Sequence, residues 1–173
     1  MKRKLLGIAT ILLLGCPLCA LQVSAQEVIF VARHTDPQML LRLDAPIQDD
    51  TPLSETGRTQ AEVLTARLKD AGITAIYTSK TARTIETAAP MAKELGLDIT
   101  SISRRDVDGL IQRLREHRGD ERVLVVGHWT TMPKILQRLG YPEEVKIERS
   151  VRNDLFIVMP KSNGPPVVVY LHY

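Results

Sequence analysis

The feature that most constrains the fold of this chain is a regular alternation of short apolar runs with amphipathic segments. Residues 28–32, 73–77 and 123–126 are apolar runs rich in β-branched side chains, as expected of buried strands. Between them, small and apolar residues recur every three or four positions, which predicts helices over about residues 54–71 and 81–95. Alternating strands and helices indicate an α/β fold, here a single-domain three-layer α/β/α sandwich with a mostly parallel central sheet.

The second half of the chain continues the same pattern with shorter elements. We predict an extended segment at residues 99–102, helices at about 107–117 and 131–139, and late strands at 155–158 and 167–171. The chain has 173 residues, which is enough for one domain with a hydrophobic core. We therefore expect a single folded domain over residues 26–173.

The first 25 residues have the pattern of a cleaved signal peptide. A basic start, MKRK, precedes an apolar run, and the small residues Val23, Ser24 and Ala25 form a cleavage site. The apolar run is interrupted by Pro17, so a retained membrane anchor is the less favoured alternative. Lipidation of Cys16 is a second alternative. The sequence thus predicts a secreted or periplasmic protein with no stable membrane insertion after cleavage.

Charge and cysteine content exclude several functional classes. Of the 23 basic residues, three lie in the predicted signal peptide, and the remaining 20 balance 20 acidic residues. A neutral mature domain gives no reason to expect nucleic-acid binding. Both cysteines, Cys16 and Cys19, also lie in the signal segment, so the mature domain has no thiol nucleophile and no disulfide.

Polar residues capable of phosphate chemistry follow three of the predicted strands. His34 comes directly after the first strand with Arg33 before it, Arg83 lies shortly after the second, and His128 follows the run at 123–126. Ligands of parallel α/β sheets bind beyond the carboxyl ends of the strands. We therefore expect these four side chains to share one pocket.

Four segments in the chain resemble, in the same order, the motifs of the histidine phosphatase superfamily, which includes the phosphoglycerate mutase-like proteins. They are VARHT at residues 31–35, PLSETGRTQA at 52–61, IYTSKTARTIETA at 76–88 and VVGH at 125–128. The resemblance implies a phosphomonoester hydrolase that forms a phosphohistidine, and it implies no metal and no other cofactor. In size the chain is similar to the short phosphohistidine phosphatases.

The resemblance assigns a role to each of the four residues. His34 would be the nucleophile, attacking through a neutral ring nitrogen while its other nitrogen donates to a backbone carbonyl. Arg33 and Arg83 would clamp the phosphate, because a guanidinium donates two parallel hydrogen bonds to an oxyanion. His128, either as a cation or as a hydrogen-bond donor, would stabilise the oxygens of the phosphoryl group during its transfer.

The proton donor to the leaving group is the least determined part of the site. Asp106 is the tentative choice, with Asp108, Glu55 and Asp36 as alternatives, although each could equally be a helix cap or a solvated charge. Thr35, where the family usually has a smaller residue, is a predicted substrate contact. Trp129 and Thr130 are further predicted substrate contacts beside His128.

Three other functions stay open on sequence alone. The chain could be a phosphate-binding pseudo-enzyme that has lost turnover, a metal-dependent hydrolase using His34, Asp36 and His128, or a phosphoglycerate mutase-type phosphotransferase. The expected partner is a small phosphorylated substrate or a phosphoprotein. The sequence determines neither the identity of that substrate nor the oligomeric state.

Overall fold

The computed structural model describes residues 27–38, 48–116 and 121–173. The predicted signal peptide, including Cys16, lies outside the described residues. Ten elements follow one another along the chain: β1 (Val28–Arg33), α1 (Glu55–Leu68), β2 (Ala75–Ser79), α2 (Ala82–Leu95), β3 (Ile99–Ile102), α3 (Val107–Glu116), β4 (Arg122–Gly127), α4 (Met132–Arg138), β5 (Asp154–Met159) and β6 (Val167–His172). They form one α/β domain.

The strands form a single mixed sheet in the order β3-β2-β4-β1-β5-β6. β1, β2, β3 and β4 run parallel, whereas β5 pairs antiparallel with β1, and β6 pairs antiparallel with β5. The predicted mostly parallel sheet is confirmed. The segment predicted only as extended at residues 99–102 is the edge strand β3.

Helices cover both faces of the sheet, which confirms the predicted three layers. Alternate residues of β4 point to opposite faces: Val123 and Val125 contribute to one apolar cluster, and Leu124 and Val126 to the other. The first cluster includes the buried side of α3 and α4, and the second includes the buried side of α1 and α2. None of the helices in the described part of the chain has the length and apolar character needed to cross a membrane.

Caps define one end of each of the two longest helices, and α1 ends at Leu68, three residues before the predicted end at residue 71. The Ser54 side chain accepts a hydrogen bond from the Gly57 backbone N–H at 3.0 Å and caps α1. Gly96 ends α2 in the left-handed conformation, with φ of 65°. Pro90 lies inside α2. Because Ser54 fixes where α1 begins, it also fixes which residues of α1 flank the carboxyl edge of the sheet.

Candidate active site

The two candidate histidines lie side by side because β1 and β4 are neighbouring parallel strands. Arg33 is in register with Gly127, and the His34 backbone N–H donates to the Gly127 carbonyl at 3.0 Å. His34 and His128 therefore leave the sheet at the same point. Their ring centroids are 5.1 Å apart, and both side chains are almost completely buried.

The imidazole of His34 is held in one tautomer. Its Nδ1 lies 2.7 Å from the carbonyl oxygen of Thr35. A carbonyl only accepts hydrogen bonds, so Nδ1 carries the proton and Nε2 carries a free lone pair. Burial lowers the pKa of His34 to about 3, helped by the positive field of Arg83 and Arg33. The ring is therefore neutral at neutral pH, as a nitrogen nucleophile requires.

The segment after His34 is anchored by hydrogen bonds that involve Thr35. The Thr35 hydroxyl donates to the Gly57 carbonyl at 2.7 Å, and its backbone N–H donates to the Thr87 hydroxyl at 3.1 Å. Thr35 is completely buried. We predicted a substrate contact at Thr35. In the structure its hydroxyl instead contacts α1 and α2, and it connects these helices to the end of β1.

A close backbone approach explains the glycine in the motif at residues 52–61. A Cβ atom on Gly57 would lie 2.1 Å from the carbonyl oxygen of Asp36. The same carbonyl accepts a hydrogen bond from the Ser54 backbone N–H at 2.9 Å. The start of α1 therefore packs directly on the backbone that follows the candidate nucleophile, and a side chain at position 57 would displace it.

Arg83 lies in the first turn of α2 and contacts His128. One guanidinium nitrogen donates to the Gln48 carbonyl at 2.7 Å, and the other lies 3.5 Å from Nδ1 of His128. A guanidinium only donates, so Nδ1 of His128 is the acceptor and the ring proton is on Nε2. Nε2 of His128 is buried without a hydrogen-bond partner among the described residues.

His128 is neutral rather than cationic in this site. Burial is the main cause, and with the nearby charges of Arg83 and Arg104 it lowers the pKa of His128 to about 4. Of the two roles open to His128 on sequence alone, the structure therefore supports donation from a neutral ring. A buried N–H without a partner is costly, and a bound oxyanion would satisfy it.

Arg33 differs from Arg83 in what its guanidinium contacts. Its nitrogens donate to the carbonyls of Glu148, Arg149 and Val151, with distances of 2.7 Å to Glu148 and 2.9 Å to Arg149. It also faces the buried carboxylate of Asp154 at 3.5 Å. We predicted that Arg33 clamps phosphate, but in the structure its two terminal nitrogens hold the segment that leads into β5. Its Nε is buried without a hydrogen-bond partner among the described residues.

Asp154 is a buried carboxylate that the sequence analysis did not identify. It is completely buried at the start of β5, where it faces Arg33 and accepts a hydrogen bond from the Tyr170 hydroxyl at 2.6 Å. The hydroxyl of Tyr173 donates to the Arg33 carbonyl at 3.0 Å. The last strands are thus tied to the residue next to the nucleophile. In the sequence, the signal for this carboxylate is an aspartate directly before the apolar run at residues 155–158.

The candidate proton donors all have structural partners or exposed positions. Asp106 accepts a hydrogen bond from the Gly109 N–H at 2.9 Å, as a cap at the start of α3 does. Asp108 forms an exposed ion pair with Arg138 at 2.7 Å. Glu55 is exposed in the first turn of α1. None of these contacts brings a carboxylate to His34 or His128, so Asp106 is better described as a helix cap.

Asp36 lies two residues after His34 in the chain and is paired with an arginine. Its carboxylate lies 3.2 Å from the guanidinium of Arg152, and its side chain is partly exposed. Within residues 27–38, 48–116 and 121–173, no group of three His, Cys, Asp or Glu side chains is arranged to hold a metal ion. The trio of His34, Asp36 and His128, considered for a metal-dependent hydrolase, is therefore not such a group.

Trp129 and Thr130 follow His128 on the protein surface. Trp129 is 38% exposed, an unusual position for the only tryptophan of the chain. Thr130 lines a surface groove together with Lys134 and Arg138. Thr131 instead turns inward, and its hydroxyl accepts from the His128 backbone N–H at 3.0 Å. Thr131 therefore fixes the backbone of His128, while Trp129 and Thr130 face solvent.

The first half of the domain resembles a known protein family. Residues 29–106, from β1 through the start of α3, match the sequence profile of the histidine phosphatase superfamily, branch 1. Over this region the chain is similar to that superfamily. The matched region contains His34 and Arg83, and the second histidine lies beyond its end.

Curated proteins with similar sequences match part of the chain. A probable phosphoglycerate mutase, GpmB, of Cronobacter sakazakii is 35% identical over 107 residues, which are 57% of this chain and 50% of the relative. The corresponding protein of Photorhabdus laumondii is 32% identical over 47% of this chain and 43% of the relative. The chain thus spans about half the length of the curated relatives it matches.

Several solved structures share the fold of this chain. The protein histidine phosphatase SixA, in complex with tungstate, superposes with a TM-score of 0.63 at 18% identity over 84% of this chain and 96% of its own. Mycobacterial glucosyl-3-phosphoglycerate phosphatase superposes with a TM-score of 0.57 at 16% identity, over 84% of this chain and 97% of its own. At these identities the likeness establishes a shared architecture.

Proposed function

We propose that this protein hydrolyses phosphate monoesters through a phosphohistidine intermediate on His34, without a metal ion. One observation carries the proposal. A neutral imidazole with its lone pair on Nε2 lies beside His128, a second neutral imidazole whose buried Nε2–H has no partner within the described residues. A nucleophile and a hydrogen-bond donor for oxyanions are thus next to each other, and the guanidinium of Arg83 adds positive charge.

In the first step, Nε2 of His34 attacks phosphorus. The new P–N bond forms as the ester P–O bond breaks, and the leaving oxygen takes the electron pair of that bond. His128 and Arg83 donate hydrogen bonds to the oxygens of the transferring phosphoryl group, whose charge is redistributed during in-line transfer. The hydrogen bond from Nδ1 of His34 to the Thr35 carbonyl stabilises the positive charge that develops on the ring.

In the second step, water attacks the phosphorus of the phosphohistidine. The P–N bond breaks, its electron pair returns to Nε2, the attacking water gives its proton to the solvent, and inorganic phosphate leaves. The leaving oxygen of the first step also needs a proton, and Asp106 is engaged as a helix cap. We therefore expect the fastest turnover with good leaving groups, such as aryl phosphates and phosphoramidates.

Trapping the intermediate tests this mechanism directly. The protein would be mixed with an aryl phosphate, quenched in base because phosphohistidine is acid-labile, and digested for mass spectrometry. We expect phosphate on His34 in the wild type and none in His34→Asn. His172→Asn is the matched control, because His172 is half-exposed on β6. Labelling of another residue, or turnover by His34→Asn, would contradict the proposed nucleophile.

Phosphoryl transfer to a second substrate molecule is the alternative, because relatives that match this chain are described as phosphoglycerate mutases. A mutase uses the same phosphohistidine but passes the phosphate to an acceptor hydroxyl instead of water. Incubation of the enzyme with 3-phosphoglycerate separates the two. Release of inorganic phosphate supports hydrolysis, whereas formation of 2-phosphoglycerate without phosphate release supports transfer.

We also propose that the protein is exported, with residues 1–25 removed as a signal peptide. The basis is the pattern of the sequence itself: a basic start, an apolar run and a small-residue cleavage site. Mass spectrometry of the protein from fractionated cells should find Gln26 at its N-terminus. A fatty-acid label on Cys16 would replace this proposal with a lipoprotein, and a chain beginning at Met1 would contradict both.

A further inference from the structure

Arg152 lies in the segment that Arg33 holds at the end of β1. The terminal nitrogens of Arg33 donate to backbone carbonyls of this segment, the last of which belongs to Val151. That carbonyl is part of the peptide bond between Val151 and Arg152, so the hydrogen bond fixes the backbone directly before Arg152. Two residues after Arg152, the carboxylate of Asp154 faces the same guanidinium. Arg33 therefore holds the chain on both sides of Arg152.

The guanidinium of Arg152 contacts the segment that follows the candidate nucleophile. Its Nε lies 3.2 Å from a carboxylate oxygen of Asp36, which is two residues after His34. The backbone of Asp36 is itself held, because its N–H donates to the Gln60 side-chain oxygen at 3.1 Å and its carbonyl accepts from the Ser54 N–H at 2.9 Å. Both partners of the ion pair thus extend from anchored backbone, which restricts the position of the guanidinium.

Arg152 is close to the two arginines that the sequence motifs contain. Burial lowers the pKa of Arg33 and of Arg83, and the positive charge of Arg152 lowers both further. Coulomb interactions weaken with distance and with screening by salt, so a guanidinium that affects both arginines lies near each of them. Arg33 directly precedes His34, and Arg83 contacts His128. Arg152 therefore belongs to the cluster of positive charge at the histidine pair.

The three guanidinium groups differ in how their donors are engaged. The terminal nitrogens of Arg33 are engaged with carbonyls, and its side chain is completely buried. One terminal nitrogen of Arg83 donates to the Gln48 carbonyl, and the other contacts His128. The terminal nitrogens of Arg152 form no hydrogen bond with any residue that the structure describes, and its side chain is 20% exposed. Of the three arginines, Arg152 thus offers unengaged donors to a phosphate group that enters from solvent.

We propose that Arg152 is a further catalytic residue, whose two terminal nitrogens donate to nonbridging oxygens of the phosphoryl group together with His128 and Arg83. The inference rests on the proposed function and adds a phosphate ligand that lies outside all four sequence motifs. A guanidinium donates two parallel, charge-assisted hydrogen bonds to an oxyanion. Asp36 orients Arg152 through Nε and leaves the terminal nitrogens to the substrate, while its negative charge opposes the bound anion.

Affinity for inorganic phosphate tests this role without any need for turnover. We would measure it by calorimetry in the wild type, Arg152→Gln, Arg152→Lys and Asp36→Asn. Arg152→Gln should bind phosphate about tenfold more weakly, the loss of one charged hydrogen bond. Arg152→Lys should recover only part of this affinity, because a lysine lacks the planar fork. Asp36→Asn should bind phosphate at least as tightly as the wild type, because it removes a negative charge next to the anion.

Two comparisons separate a phosphate ligand from an ion pair that only holds the backbone. In the second case, removal of either partner has the same effect, so equal losses of affinity in Arg152→Gln and Asp36→Asn would overturn the proposal. Lys146→Gln is the matched control for loss of charge, because Lys146 is an exposed cation shortly before Arg152. A loss of affinity as large in Lys146→Gln would also overturn the proposal. If Arg152→Gln does not fold, Arg152→Lys and Asp36→Asn provide the same comparison.

Hydrolysis of an aryl phosphate separates failure of this role from failure of the hydrolase. We expect kcat/KM to fall about tenfold or more in Arg152→Gln and to stay unchanged in Lys146→Gln. If the wild type hydrolyses no ester but Arg152→Gln still loses phosphate affinity, Arg152 remains a phosphate ligand and the proposed hydrolase fails. Unchanged phosphate affinity in Arg152→Gln would overturn the role of Arg152, whatever the activity of the wild type.

Discussion

Lowering the pH from about 7 to about 5 should destabilise this protein by about 4 kcal/mol through two buried histidines alone. Burial lowers the pKa of His34 from 6.5 to about 3 and that of His128 to about 4. In the unfolded chain both rings titrate near the ordinary value of 6.5. Between 6.5 and the folded pKa, the unfolded state therefore binds protons that the folded state does not, and stability falls as the pH falls.

The magnitude follows from proton linkage. One pH unit below the unfolded pKa costs about 1.4 kcal/mol for each proton bound only by the unfolded chain. From about pH 6.5 to pH 5 this gives about 2 kcal/mol for each histidine. Both side chains are at most 4% exposed, so solvent screening reduces the effect little. Above about pH 7 the two histidines should leave the free energy of unfolding unchanged.

Urea unfolding of the wild type and of His34→Asn at the two pH values measures this effect. Carboxylates change stability with pH in both proteins, so the difference between the two pH dependences isolates His34. We expect the loss of stability on acidification to be about 2 kcal/mol smaller in His34→Asn, with a similar reduction in His128→Asn. Equal pH dependence in wild type and variants would refute the neutral, buried imidazoles on which the mechanism depends.

Three further predictions concern the same site. Arg83→Lys should lower kcat/KM for an aryl phosphate by roughly 10- to 100-fold with unchanged circular dichroism. The reason is that a lysine cannot contact both His128 and the Gln48 carbonyl. Wild-type activity in this variant would contradict the role of Arg83. Gly57→Ala should reduce the free energy of unfolding, measured in urea, by about 3 kcal/mol, because the added Cβ would overlap the Asp36 carbonyl. A smaller loss than that caused by Ala82→Ser would contradict this explanation. Prolonged treatment with a chelator should leave the rate unchanged, whereas a loss restored by added metal would favour a metal-dependent hydrolase.

The fold and the placement of the histidine pair could be predicted because they depend on local patterns. Each parallel strand is a short apolar run, and each run is followed at once by the polar residues of the site. Once the sheet is parallel, His34 and His128 must leave it at one edge. The predicted carbonyl partner of His34 is also observed, at Thr35, because a histidine at a strand end has its own backbone within reach.

Contacts with the antiparallel half of the sheet could not be predicted in this way. β5 pairs with β1 only because the chain returns there after α4, and the sequence pattern does not specify which strand becomes its neighbour. That pairing brings Asp154 against Arg33, two residues 121 positions apart in the chain. A motif centred on residues 33 and 34 contains no information about a carboxylate so far along the sequence.

The arrangement of Arg33 shows how such a long-range contact changes the electrostatics of the site. Its guanidinium holds the carbonyls of residues 148, 149 and 151, the stretch immediately before Arg152. Arg152 is thereby fixed next to Asp36, close enough for its charge to lower the pKa of Arg83. Arg33 therefore affects the field at Arg83 through the position of a neighbouring arginine, and the field at both histidines through its own charge. A sequence motif identifies which residues surround a phosphate site, but the packing of distant strands decides which of their donors face it.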